Sequence, residues 1–202
     1  EALAILAQVN TGNYALPKAQ ILKVNESGIV IRQVKPIQHP ALLAYLKSRK
    51  ISPVVAQGVC KEVHYTIKEK YVFSIGLKNN SGGWELRNKY FKASSSPKDL
   101  RCITNGSQKL IVIEGIFDLL SLVTLFPNLK GEADFLILNS IAFAEKALPY
   151  FDTCTTVELY LDQDKVGRKT TSFFLNTTAT CIDKSCFYKA EKDLNAWLMK
   201  TF

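Results

Sequence analysis

The sequence predicts an α+β first half, a helix plus an antiparallel strand meander, followed by an α/β second half with a parallel central sheet. Three observations carry that prediction. Residues 63–90 alternate apolar and polar side chains between turn signals, the period-two pattern of half-buried strands. Residues 106–202 instead repeat a short continuous apolar run followed by a helical pattern, as strands buried on both faces of a parallel sheet do. Two of those runs, in LIVIEG and ELYLDQD, end in acids, at the strand ends where open α/β sheets bind ligands. The boundary falls near residue 105, where NGSQ precedes the first buried run, so the expected units are 1–105 and 106–202.

Taken in order, the first 35 residues read as weakly organised, with Gly12, Asn13 and Pro17 breaking the early apolar pattern. HPALLAYLKSRKIS then reads as a helix. Pro40 suits a first helical position, Leu42, Leu43, Tyr45 and Leu46 give an apolar face, and Lys47, Arg49 and Lys50 suit the last turn. Those cations are also placed to touch phosphate. The meander follows, with turns at Lys68–Lys70 and Asn79–Gly83, and KASSSPKDL reads as a polar loop. In the second half LIVIEG, DFLILNS, TVELYLD and TATCID read as strands. FDLLSLVTLF, AFAEKALPYF, VGRKTTSFFLN and KDLNAWLMK read as the helices between and after them.

Composition bounds the function classes. The chain has 202 residues, 47% hydrophobic and 22% charged, as a soluble globular protein does. It begins with Glu1, which suggests a piece of a longer protein, and no signal-peptide pattern opens it. The longest near-apolar stretch, 110–126, carries Glu114 and Asp118 and is too short to span a bilayer; a cytoplasmic protein is expected. Cys60, Cys102, Cys154, Cys181 and Cys186 form no CxxC pair and read as reduced, buried thiols. Of the net charge of +8, the excess lies early. Through residue 105 there are 16 Lys+Arg against 6 Asp+Glu, and afterwards 10 against 12. Such asymmetry suits an anionic partner, nucleic acid first, although a merely soluble basic surface has the same composition.

The acids carry the chemistry. Asp162 and Asp164 are two apart and point to one side of an extended segment. Glu114 comes from the neighbouring unit, and Asp118, one helical turn on, is a further ligand or an acid behind the ligands. Like charges about 4 Å apart repel by roughly 4 kcal/mol at an effective dielectric near 20. A divalent cation, Mg²⁺ or Mn²⁺, removes that cost and serves phosphate chemistry. A lone acid after a strand is often only a helix cap; it is the ordered combination that points to metal. Gly167 lets the chain turn into the next helix, where Arg168 and Lys169 are placed to meet phosphate.

There is no GxxxxGK[ST] and no strand-linked GxGxxG. Only His39 and His64 occur, which leaves few players for a histidine mechanism, and His64 reads as structural.

EGIFD followed by DQDKVGRK resembles the toprim signature, glutamate–glycine then Asp-x-Asp-x-x-Gly, shared by DnaG-type primases, topoisomerases and some nucleases. EGIFDLLSL, with Asp118, and DQDKVGRK resemble the primase forms, and KDLNAWL resembles the primase segment that puts Asp193 near the site. ALLAYLKSRKIS and the meander down to KASSSPKDL resemble the first part of the primase RNA-polymerase core, so the likeness spans about 38–200. Its flavour is that of DnaG-like primases on mobile elements of Bacteroides-type bacteria. LNSIAF departs from the family's Gly-Thr strand end, with Asn139 and Ser140 in its place.

The resemblance implies a basic N-terminal subdomain and a toprim domain that together make short RNA primers from ribonucleoside triphosphates on single-stranded DNA. It implies Glu114 as general acid/base or metal ligand, Asp162 and Asp164 on the cations, and Arg87, Lys89 and Lys92 along the template or nucleotide groove. Gly115, Gly167 and Asp193 support the ligands. A replicative helicase is an expected partner through regions outside this sequence, as is the family's zinc-binding domain. Tyr71, Trp84, Tyr90 and Phe91 either pack the meander or stack bases. Two rival readings are a toprim nuclease using the same acids and a non-catalytic single-strand-binding replication module.

Overall fold

The computed structural model describes residues 28–201; the early breaks at Gly12, Asn13 and Pro17 lie outside them. The first sheet holds β1 (Ile29–Lys35), β2 (Lys61–Ile67), β3 (Lys70–Lys78), β4 (Trp84–Arg87) and β5 (Lys92–Ser94), paired in that order and antiparallel throughout. Lys68 and Glu69 make the β2–β3 turn with positive φ, as two-residue hairpins require. Helices α1 (Pro40–Ser48) and α2 (Pro53–Val59) fill the β1–β2 connection. α1 starts as expected: Pro40 follows His39, whose Nδ1 accepts from the Ala41 N–H at 3.2 Å.

The structure corrects three local expectations. Residues 29–35 form an edge strand, hidden in the sequence because only Ile29 is buried. The polar loop KASSSPKDL contains the edge strand β5. The single helix expected over AFAEKALPYF is broken into a 3-10 turn at Ile141–Phe143, α5 (Ala144–Ala147), and a second 3-10 turn at Leu148–Tyr150. Pro149 has no N–H to continue it.

The second sheet runs β10 (Cys181–Asp183), β9 (Thr156–Tyr160), β7 (Lys109–Ile113), β8 (Asp134–Ile137), β6 (Arg101–Ile103). Its first four strands are parallel, and β6 closes the β8 edge antiparallel. The remaining helices are α3 (Ile116–Leu125), α4 (Leu129–Glu132), α6 (Lys165–Thr177) and α7 (Leu194–Thr201). Alternate strand residues feed two cores, as continuous apolar strands must. Leu110, Val112, Leu136, Val157 and Leu159 pack with Phe151 and with Phe174 of α6. Ile111, Ile113, Phe135 and Ile137 pack on the other face with α3, α7, α1 and with Ile75 and Leu77 of the first sheet. One core therefore belongs to both sheets.

Polar bonds reinforce that joint. The Asn79 side chain holds its own turn, accepting from Ser81 and Gly83 N–H and donating to the Pro97 carbonyl. Asp99, 3% exposed, accepts from Ser81 Oγ and pairs with Lys146 at 2.7 Å. Its carbonyl accepts from Asn139 Nδ2 at 2.8 Å. All five cysteines are free thiols, but only Cys60 and Cys181 are buried; Cys102 and Cys154 are half-buried and Cys186 is exposed, against the expectation that all are buried. Among the described residues no helix is long and apolar enough to cross a membrane.

Candidate active site

β7 ends at Ile113, so Glu114 is the first residue past a buried strand. Its carbonyl accepts from the Asn139 N–H at 2.9 Å, which ties the ends of β7 and β8 together. Asp162 lies two residues past β9, the strand beside β7, and its N–H faces the Glu114 carboxylate. Parallel neighbours with equal endings thus deliver two acids to one spot. Asp118 sits in the first turn of α3, 9% exposed, with the N–H of Asn195 turned toward it from the start of α7. Asp193 caps α7, accepting from the Ala196 N–H at 2.7 Å.

These acids sense one another. Burial and then repulsion from Glu114 and Asp193 push Asp162 up to about 7. Burial, followed by Asp193 and Asp162, raises Asp118 well above the carboxylate range. Glu114 is raised by burial and by Asp164. One carboxylate oxygen of Glu114 and one of Asp118 are buried without any hydrogen-bond partner, a costly state for an ionised group. Among the described residues no three His, Cys, Asp or Glu side chains close into a ready-made cation cage. The donor set nevertheless fits a hard divalent cation: oxygen ligands only, mutually repelling, with two orphaned oxygens.

Asp164 differs from Asp162. It is exposed and caps α6, with Oδ1 accepting from the Val166 and Gly167 N–H groups at 3.0 and 2.9 Å. Gln163 between them turns away and straps the loop, with its N–H on the Lys192 carbonyl and Nε2 on the Ser185 carbonyl, both 2.7 Å. Gly167 is not a turn residue here. A β-carbon on it would overlap the Asp162 carbonyl, so glycine lets α6 begin directly against that backbone. At Gly115 a β-carbon would meet only ordinary contact, 3.7 Å from Asp118 Oδ2.

The cations divide. Ile75, Arg87 and Lys92 are cross-strand partners on β3, β4 and β5. Their shared face is the one that meets the second sheet, because Ile75 is in the common core. Lys92 acts on both Glu85 and Glu114. Lys89 instead stands at the far end of that face, beside Tyr90. Arg168 is exposed and its Nε donates to the Gln163 carbonyl at 2.7 Å; Lys169 is exposed in the first turns of α6. Sequence reasoning missed Lys192, 3.9 Å from Asp162 Oδ2. It also missed the role of Asn139, which adopts positive φ (61°) and has a buried, unpartnered Oδ1. Of the four aromatics, Trp84 and Phe91 pack against the outer core of the first sheet, while Tyr71 and Tyr90 are 42% and 49% exposed. A cavity of about 430 Å³ lined by Leu125, Phe126, Leu129, Glu158 and Tyr160 includes none of the acids discussed.

Known proteins share this fold. Residues 111–198 match the Toprim-like family model, and residues 31–96 match a family described as Domain of unknown function (DUF8464). No curated protein matches the chain. Among solved structures, the primase fragment of the bacteriophage T7 primase-helicase protein is similar, with TM-score 0.54 and 19% identity over 94% of this chain and 78% of that one. So is a structure of bacteriophage T7 lagging-strand DNA polymerase interacting with primase domains bound to an RNA/DNA hybrid and dTTP, with TM-score 0.51 and 20% identity over 68% of this chain and 76% of that one. Residues 111–198 thus match a toprim-like domain, and the chain shares the fold of the T7 primase fragment.

Proposed function

We propose that the chain is the catalytic core of a DNA primase, joining ribonucleoside triphosphates into short RNA primers on a single-stranded DNA template. One observation carries this reading: half-buried, mutually repelling acids at the ends of β7 and β9 stand opposite a basic face on the first sheet. The primase fold supports it. Residues 1–105 form the basic template-side unit and 106–202 the toprim unit, with β6 lent across that division to the second sheet.

Glu114, Asp162 and Asp164 hold Mg²⁺ or Mn²⁺, with Asp118 behind them and Asp193, Gly115 and Gly167 fixing the frame. A bound divalent cation supplies charge that offsets the triphosphate and eases ionisation of the attacking hydroxyl. The chain's own residues do the rest. Lys92 and Lys192, which both act on Glu114, draw phosphate oxygens, and Arg168 and Lys169 add charge at the start of α6, where the helix dipole favours anions. Arg87 and Lys89 hold the template backbone. A replicative helicase is the expected partner in the cell.

The test is primer synthesis on single-stranded DNA with Mg²⁺ or Mn²⁺, comparing the parent with Asp162→Ala. Synthesis by the parent, lost in the variant while DNA binding persists, is the expected result. Metal-dependent cutting without synthesis moves the protein to the nuclease reading. Unchanged behaviour in the variant makes it a binding module.

A further inference from the structure

A buried polar relay on the first sheet serves no purpose in the site above. The Glu62 carboxylate is fully buried and saturated: Oε2 accepts from the Gln38 and His39 N–H groups at 2.9 and 2.8 Å, and Oε1 faces Lys35 Nζ at 3.2 Å and His64 Nε2 at 2.6 Å. With a carboxylate in front of it, Nε2 carries the hydrogen. In that tautomer Nδ1 is an acceptor, and it lies 2.9 Å from the Tyr71 hydroxyl. Tyr71 therefore spends its proton inward and presents only oxygen lone pairs outward.

Tyr71 borders a small slot of about 80 Å³, lined also by Ala41 and Leu42 of α1, by Phe73, and by Lys89 and Tyr90. Phe73 is fixed from beside by the stacked His39 ring, at 3.9 Å between centroids. Asn88 pins the rim: its Oδ1 takes the Tyr90 and Phe91 N–H groups at 2.9 and 3.1 Å, and its Nδ2 donates to the Phe73 carbonyl at 3.3 Å. Tyr71, Phe73 and Ile75 alternate onto one face of β3, the face that carries Arg87 and Lys92. The slot thus lies on one path with the acids, four residues or about 13 Å of strand from the Ile75–Arg87–Lys92 row.

We propose that this slot holds one base of the single-stranded DNA template, stacked on Tyr90, and that Tyr71 reads its edge as an obligatory hydrogen-bond acceptor. The inference rests on the primase reading and names the base class that reading leaves open. An acceptor fits an exocyclic amino group, so adenine and cytosine are favoured over thymine, which shows a carbonyl at the equivalent position. Lys89 meets the adjoining phosphate. Tyr71 is a specificity residue here, not a catalytic one.

The experiment is equilibrium binding of fluorescein-labelled dA, dC and dT 15-mers at pH 8 without divalent cations, so that synthesis plays no part. The parent binds dA and dC about threefold to tenfold more tightly than dT, the worth of one hydrogen bond. Tyr71→Phe, which keeps the ring, erases that preference while dT binding stays within twofold. Tyr90→Ala weakens all three by about tenfold. A preference that survives Tyr71→Phe, an absent preference in the parent, or indifference to Tyr90→Ala overturns the proposal. Failure here leaves the Asp162→Ala synthesis assay untouched, so the two readings fall separately.

Discussion

Gly167 rests against the backbone of Asp162 so closely that a β-carbon at 167 would overlap the Asp162 carbonyl. The neighbour is main chain and cannot rotate aside. Gly167→Ala should therefore cost about 1–3 kcal/mol, the usual penalty for overpacking, and displace Asp162 as well. Primer synthesis should fall far more than the unfolding midpoint suggests. Gly115→Ala, with only ordinary contact to Asp118, is the control and should fold normally. Equal losses in the two variants reject this account.

The repulsion among the acids predicts a response to metal. Binding stabilises the folded chain by mass action. With 10 mM MgCl₂ the parent's midpoint should rise by about 3–5 °C, using about 2–4 °C per kcal/mol for a chain of this size. Asp162→Asn removes one of the repelling charges, so it should melt higher than the parent without metal and respond little to MgCl₂. A thermal melt of both proteins decides the matter. A variant that responds as the parent does places the cation elsewhere.

Glu62 predicts acid sensitivity. Burial opposes its charge, but the Gln38 N–H, the His64 ring, the His39 N–H and Lys35 outweigh burial and hold it at about 2. The ordinary value is 4.5, so the unfolded chain takes up the proton first as pH falls. The stabilisation is complete above pH 4.5 and is lost between there and about 2. Glu62→Gln should cost about 3 kcal/mol at pH 7 and progressively less at pH 4 and 3. Urea unfolding at those pH values gives the difference, and a cost independent of pH contradicts the ionised relay.

Lys92 predicts a salt signature. Each phosphate neutralised on a single strand contributes about 0.7 to the slope of log affinity against log salt. Lys92→Ala should lower that slope by about this amount for single-stranded DNA and weaken binding similarly for every sequence. An unchanged slope means that Lys92 answers only Glu114 and Glu85.

Much of the frame was legible because its signals are local. LIVIEG and TVELYLD announced buried strands with acids at their ends, and Pro40 announced α1. The departures have physical causes. β6 has three residues, and its partner β8 lies some thirty residues further along, so nothing local marks it. α2 is short and rich in valine, a weak helix former. Asp162 and Asp164 share a motif but not a setting, since only the fold reveals that Asp164 spends an oxygen on capping α6. Lys92 and Lys192 reach the acids from positions a hundred residues apart in the chain, a proximity that only the shared core creates.

Asp99 bonds to Ser81 from the first sheet's turn and to Lys146 and Asn139 from the second unit, beneath a core that both sheets share. Nothing in that joint resembles a hinge. On the primer-synthesis reading, the opening between basic face and acids is a gauge whose width is set when the chain folds.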